Sequence, residues 1–447
     1  MRTAVRIGAV LAAALTAPAV LAWSQEEAQA AARGRENLLR RPYAEPQLDQ
    51  KALDTLWTAW DPEWKTKAEG ADLERIRVLT RERYGFPPPV DPKSAAPLPF
   101  VATERGLVPN CLTCHAGRLP GSGEAMIGLP NTDIDMTTFL DDLARLKGQT
   151  GMGSTWGRTR GRSNAFFLSH VLLMLRDPDM TVRKAPVNLG IPRSYDLDAP
   201  PWWHLRRKRT LYSDGFVEGG HGRAIMQFAL AATVEGAAFR VWEKDFDEMY
   251  SYLRTIQAPK YPWPINQELA QHGEKVFAKT CGGCHGTYGP EGQYPGIVVP
   301  LATVGTDPVR LQGTTTEFRR YYGKSWLGEK SKVVETPTGY VAPPLDGIWA
   351  TAPYFHNGSV PTVYGVLTES KRPKYFRRVG APAGYDQKDL GITVEVLPGP
   401  APADAAPEAR RRVIDTTVPS LGNGGHPFGF GLSEDEKRQV IEYLKSL

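Results

Sequence analysis

The chain carries four cysteines, and all fall in two copies of one pattern: Cys111-Leu112-Thr113-Cys114-His115 and Cys281-Gly282-Gly283-Cys284-His285. Two thiols three positions apart can form thioethers to the two vinyl groups of one porphyrin, and the imidazole that follows is then delivered to the iron as an axial ligand. The pattern reads as two covalently attached haem c groups, with His115 and His285 on the irons. A thioredoxin-like redox pair would explain one Cys-x-x-Cys, and a zinc site would explain two. Neither requires a histidine directly after both.

Arg2 and Arg6 precede an apolar run from Ile7 to Ala22, the shape of a secretory signal peptide. Cleavage is expected after Ala22, with Ala30 a second position, which places the mature protein in the periplasm. The alternative, an uncleaved anchor, is disfavoured because the run is shorter than the ~20 apolar residues a span needs. No other comparable run occurs, so no stable membrane insertion is expected. A formal charge of +5 over 447 residues is too small to indicate nucleic-acid binding. An exported chain would normally spend its cysteines on disulfides, but here the haem motifs leave none.

Helical spacing of apolar residues is expected over Leu53–Trp60, Leu73–Tyr84, from Met136 to Leu146, from Phe166 to Leu175, over Ala224–Ala232 and over Phe246–Thr255. The segment from Gln257 to Pro264 holds three prolines and reads as a domain linker. Beyond it, Asn266 can cap a helix running into the second motif, and Ser433 with Glu436 forms a capping box ahead of a closing helix. These two helices resemble the crossing pair of a class I cytochrome c. The expected fold is mainly α, with two cytochrome c-type haem domains, long loop-rich insertions and little sheet. The boundaries are 1–22 for the signal peptide, 23–256 for the N-terminal haem domain and 257–447 for the C-terminal one. Within the latter, the Pro/Ala-rich stretch from Pro398 to Ala409 is expected to be a surface excursion without packing. Nothing beyond the two haem motifs reads as an internal repeat.

A c-type iron takes a sixth ligand for electron transfer or keeps an open face for chemistry. His426, in Gly422-Asn423-Gly424-Gly425-His426-Pro427, sits in a loop flexible enough to approach a porphyrin, or is an ordinary exposed histidine. No methionine follows Met249, so a histidine is favoured for the second iron. For the first, His170 is the one histidine on a strongly apolar helix in the same half, where a packed core residue is the plainer reading. Trp202 and Trp203 fit either a place between cofactors or core packing. The run from Arg206 to Arg209 reads most simply as a solvated basic face; pairing with propionates or docking an acidic partner is the alternative.

The segment Thr351-Ala352-Pro353-Tyr354-Phe355-His356-Asn357-Gly358-Ser359-Val360, with both haem motifs, resembles the bacterial di-haem cytochrome c peroxidases and their relatives, the methylamine-utilisation di-haem enzymes and rubber oxygenases. Gly128 to Asn131 and the loop from Asn423 to His426 are most similar to the rubber-oxygenase branch. The resemblance implies that His426 ligates the C-terminal haem opposite His285, and that the His115 haem meets hydrogen peroxide or dioxygen, with the helix from His170 to Leu175 in its distal wall. It also implies Gln227 and Glu235 as proton-moving residues, or Phe228 in the oxygenase manner, and calcium between the domains. A helix face packed in the core is the alternative for all three residues. Ser213 stands where the family has a tryptophan between its haems, with Tyr212 or Trp203 as replacements. The expected function is a periplasmic di-haem oxidoreductase of the peroxidase kind, drawing electrons from a small redox protein or another donor. A non-catalytic electron carrier and a rubber oxygenase-like dioxygenase are the alternatives.

Overall fold

The computed structural model describes residues 24–447 except 47, 90–95, 152–156, 194, 231–233 and 381–383. The expected signal peptide and part of the expected helix Ala224–Ala232 lie outside the described residues. Eight described helices reach nine residues or more: α1 (Gln25–Arg40), α2 (Leu73–Tyr84), α3 (Met136–Leu146), α4 (Ala165–Leu173), α5 (Gly236–Thr255), α6 (Gln267–Thr280), α7 (Thr316–Lys324) and α8 (Glu434–Lys445). The described strands are short and pair antiparallel, some in hairpins and some across long insertions. The one described three-stranded sheet sets Tyr375–Arg378 between Val394–Val396 and Val413–Asp415, with Phe376 opposite both Val396 and Ile414.

Two helix crossings frame the molecule. In α6, Asn266 caps the first turn by accepting from the Leu269 amide at 3.1 Å, and in α8 the Ser433–Glu436 capping box forms. The pair crosses at Gly273, where a Cβ would come within 1.9 Å of the Gln439 carbonyl oxygen; only glycine lets the backbones meet. The same device recurs between α1 and α5, where a Cβ on Gly34 would lie 1.9 Å from the Glu248 carbonyl. Arg33 and Asn37 then fasten that crossing by hydrogen bonds of 2.7 and 3.0 Å to the Glu248 carboxylate.

Between α1 and the first haem motif lies an insertion with a core of its own. Its Tyr84, Phe86 and Phe100 pack on Phe139 of α3 and its Trp60 packs on Tyr84, while buried Asp142 of α3 takes Arg83 at 2.7 Å and the Tyr84 hydroxyl at 2.6 Å. The main core runs through both halves, from Leu38 and Leu112 through Phe216 and Trp349 to Val440. Each half also grips the other with arginine. Asp214 is clasped by Arg310 and Arg319, all three buried, while Arg162 donates to the carbonyls of Asn357 (2.6 Å) and Gly358. Those two cations hold the Asp214 carboxyl below its usual range against the desolvation that would raise it.

The Pro/Ala-rich stretch departs from expectation. Its end forms a short helix, Pro407–Arg411, with Glu408 buried, and Arg411 reaches Asp135 at 3.2 Å. The stretch is therefore packed at that end. No described helix is long and apolar enough to cross a membrane.

Candidate haem-binding sites

Each motif forms one helical turn: the His115 amide donates to the Cys111 carbonyl at 3.2 Å and the His285 amide to the Cys281 carbonyl at 3.0 Å. That turn puts both thiols and the imidazole of a motif on one short element. All four cysteines are free. Burial pushes the thiols of Cys111 and Cys281 up to about 11 and that of Cys114 up to about 12, the opposite of the lowered thiol of a redox pair.

The imidazoles are oriented alike. His115 Nδ1 lies 3.1 Å from the Pro200 carbonyl and His285 Nδ1 lies 2.8 Å from the Pro343 carbonyl. A carbonyl only accepts, so Nδ1 carries the proton in both and Nε2 keeps its lone pair for a metal, the arrangement that fixes tautomer and raises ligand basicity. Trp202 stacks on His115 with ring centres 4.6 Å apart and planes 22° from parallel.

Opposite His285 stands His426, with ring centres 6.2 Å apart. Two imidazoles on one iron, each with a metal–nitrogen bond of roughly 2 Å and about 1 Å more to the ring centre, span about 6 Å. The residues present therefore fit a bis-histidine haem c. The loop is held from several sides. Asn357 donates its amide to the carbonyls of Ser420 (3.1 Å) and Gly422 (3.0 Å), and the Ser359 hydroxyl to Gly422 (3.0 Å). Arg372 donates to the carbonyls of Asn423 (2.7 Å) and Gly425 (2.9 Å), and Asp307 accepts the amides of Ser420 and Gly422, both at 3.1 Å. Asn357 and Ser359 lie in the Thr351–Val360 segment that carries the resemblance, while Arg372 and Asp307 carry no signature of their own; that all four serve the His426 loop emerges only in three dimensions.

The expectation that nothing repeats beyond the motifs is overturned by the segments carrying the two acceptor carbonyls. Ala199-Pro200-Pro201 and Ala342-Pro343-Pro344 begin them, 143 positions apart, and the same offset holds without a gap to Val217 and Val360. Leu211 pairs with Val217 as Tyr354 bridges to Val360; Tyr212 and Phe355 both have φ of 69°, and Gly215 and Gly358 have φ of 66° and 62°. Side chains diverge too far for this to show in sequence, where Trp-Trp-His stands against Leu-Asp-Gly.

The copies differ where it matters. Phe355 touches His426 at 6.1 Å between ring centres, whereas its counterpart Tyr212 touches Phe228 at 6.3 Å and accepts a hydrogen bond from the Gln227 amide. The segment from Arg223 to Glu235, which leads into α5 as the His426 loop leads into α8, contains no histidine. Gln227 is fully buried and its Oε1 has no partner, while Phe228 is 45% exposed. Two other expected residues stand apart from this group. Glu235 is exposed at the start of α5. His170 stacks on Phe318 at 4.4 Å, neither ring nitrogen making a hydrogen bond, and burial lowers its pKa to about 4.

The basic run is not the free solvated face expected: Arg206 and Arg207 pair with Asp346 at 3.6 and 2.9 Å. Trp203 donates its indole Nε1–H to the Asp346 carbonyl at 2.7 Å. Among the described residues no three His, Cys, Asp or Glu side chains gather as a metal site.

Residues 339–377 match the profile of the RoxA-like, cytochrome c-like family. That stretch includes Pro343, which orients His285, and Asn357, Ser359 and Arg372, which hold the loop that carries His426. A cytochrome c-like domain implies covalently bound haem c, and the match supports an oxidoreductase of haem-cytochrome type. Two curated relatives come from Sinorhizobium fredii: the uncharacterised protein y4iJ, 28% identical over 43% of this chain, and y4iM, 24% identical over 56%. The chain spans 41% of the first and 64% of the second.

Proposed function

We propose that the chain is a periplasmic di-haem c-type oxidoreductase of two cytochrome c-like halves, 23–256 and 257–447. Its His115 haem would react with hydrogen peroxide or dioxygen, while its His285/His426 haem relays electrons from a small redox protein or another donor. The observation that carries this reading is the broken symmetry of the repeat: His426 faces one motif histidine, and the matching segment has no histidine. The bound groups would supply one iron open to an oxidant and one closed, electron-storing iron.

The chain's own residues set the conditions. The Pro200 carbonyl holds the proton on His115 Nδ1. Gln227, fixed by Tyr212, presents an unpartnered amide oxygen, and the Tyr212 hydroxyl in turn donates a hydrogen bond to the Ala224 carbonyl at 2.9 Å. Gln227 and Tyr212 thus offer hydrogen-bonding groups, but Glu235, the carboxylate that the resemblance adds to them, lies exposed and is lacking from this buried group.

That lack, with the RoxA-like match, favours a second reading in which dioxygen rather than peroxide is the oxidant and an organic substrate such as a polyisoprene is cleaved. EPR of the purified protein with and without peroxide tests the first reading. One high-spin signal that peroxide changes and one low-spin signal that it spares are expected. Two low-spin signals indifferent to peroxide would leave a non-catalytic electron carrier. A stable dioxygen adduct would favour the second reading.

A further inference from the structure

The insertion, α3 and the short helix Pro407–Arg411 of the second half line a cavity of about 500 Å³ between them. That volume lies within the range of sites for small organic molecules, and no residue of either haem site lines it. Four elements each bring a cation to its wall: Lys65 from the helix Pro62–Ala68, Arg83 from α2, Arg145 from α3 and Arg411 from the second half. Three carboxylates share the wall, and each already faces a guanidinium. Asp61 lies 2.9 Å from Arg83, Glu408 2.6 Å from Arg412 and Asp141 3.9 Å from Arg411.

Donors are left over once these pairs are made. The Lys65 ammonium, with three N–H groups, has no partner among the described residues. Arg145 spends Nε on the Ala59 carbonyl at 3.2 Å and one Nη on Asp142, which leaves its other Nη unbonded. Arg411 spends Nε and one Nη on Thr138, and its second Nη, 3.9 Å from Asp141, is beyond hydrogen-bond reach. Beneath them Arg83 is 1% exposed, and its Nη1, although close to Asp61, makes no hydrogen bond. A buried donor left in this state is costly unless something supplies an acceptor. Trp60, Leu146 and Pro407 give the same wall apolar surface.

We propose that this cavity binds a small organic oxyanion, a carboxylate or a phosphate monoester, whose charged head takes the spare donors of Lys65, Arg145 and Arg411 and whose apolar body lies against Trp60, Leu146 and Pro407. Guanidinium forks match the paired oxygens of either head. Both halves of the chain build the site, so a ligand there stabilises the folded chain by mass action. The proposal is independent of the two-haem reading.

The test is calorimetric titration of the full chain with its haems at constant ionic strength. The probes are phenyl phosphate and benzoate, their heads alone as inorganic phosphate and acetate, and benzylamine with the opposite charge. Phenyl phosphate or benzoate is expected to bind and to raise the melting temperature, the tighter of the two identifying the head, while benzylamine should not bind. Lys65→Glu should weaken the bound anion by about tenfold or more, the scale of reversing one charge at close range. Lys65 is exposed, so this variant should fold as the wild type does. Arg145→Gln is a second variant expected to weaken binding in the same way. Lys67→Glu, two positions along the same helix and off the wall, makes an equal change of charge and should leave the affinity unaltered. The haem absorption bands, followed in the same titration, should not move, because an anion that reaches an iron shifts them. Failure of both anions to bind, equal binding of benzylamine, or a head alone binding as tightly as its phenyl counterpart overturns the proposal. So does unchanged affinity in Lys65→Glu, equal weakening in Lys67→Glu, or binding that is always accompanied by a haem shift.

Discussion

Asn357 is fully buried and spends both amide hydrogens on the loop that carries His426. In Asn357→Ala, the Ser420 carbonyl loses its donor while Gly422 keeps Ser359. One buried acceptor left unpaired costs about 1–3 kcal/mol. A lowered melting temperature and partial conversion of the low-spin haem to high-spin are expected, read by calorimetry and absorption. His170 makes a second prediction. Its folded pKa, about 4, lies below the ordinary 6.5, so between those values the unfolded chain binds the extra proton and stability falls as pH falls. The slope approaches roughly 1.4 kcal/mol per pH unit for this one group. His170→Phe, stacked the same way on Phe318, should lose less stability between pH 7 and pH 5 in urea titrations and keep the haem spectra of the wild type. A lost low-spin signal would instead make His170 an iron ligand. Of the residues in these sites, those in the haem motifs are readable because covalent attachment demands a fixed local spacing. Arg372, Asp307 and Asn357 bond to backbone distant in sequence; no local pattern marks the first two, and the segment holding Asn357 does not reveal what that residue grips.

Helices were legible in proportion to their apolar periodicity. Leu73–Tyr84 falls where spacing places it, and both capped helices of the C-terminal half start at their capping residues. By contrast α1 is polar along most of its length and has a glycine in its middle, so apolar spacing does not announce it, although its Ala, Gln, Glu, Arg and Leu residues favour helix and Ser24 with Glu27 forms a capping box. That glycine is there for the crossing with α5, a tertiary cause that local rules do not contain. Gly273→Ala should therefore push α6 off α8, at a cost of about 1–3 kcal/mol or more, because the added Cβ meets backbone that cannot swing aside. Gly431→Ala, where nothing lies within 4 Å, should change the melting temperature little. Thermal melts of the two variants side by side check this.

At the scale of the whole molecule, the repeat could not be anticipated from composition and motifs. The motif histidines are 85 residues from their acceptor carbonyl in the first half and 58 in the second, so insertions hide the correspondence from any single offset. What the sequence suggests as two domains joined by a linker has a consequence in the arginine grips. Asp214 belongs to the first half and its partners Arg310 and Arg319 to the second, while Arg162 reaches the other way. Contacts given and returned in this manner are those of an isologous dimer interface, here closed within one chain. Cutting the chain in the segment from Gln257 to Pro264 would strand a buried carboxylate on one side and two buried guanidiniums on the other, each break costing about 3–5 kcal/mol. Neither half expressed alone should give a cooperative melt, whereas the two coexpressed should associate and recover one. Halves fastened this way are bonded like two subunits yet carried on one chain, so dilution cannot separate the two Cys-x-x-Cys-His motifs.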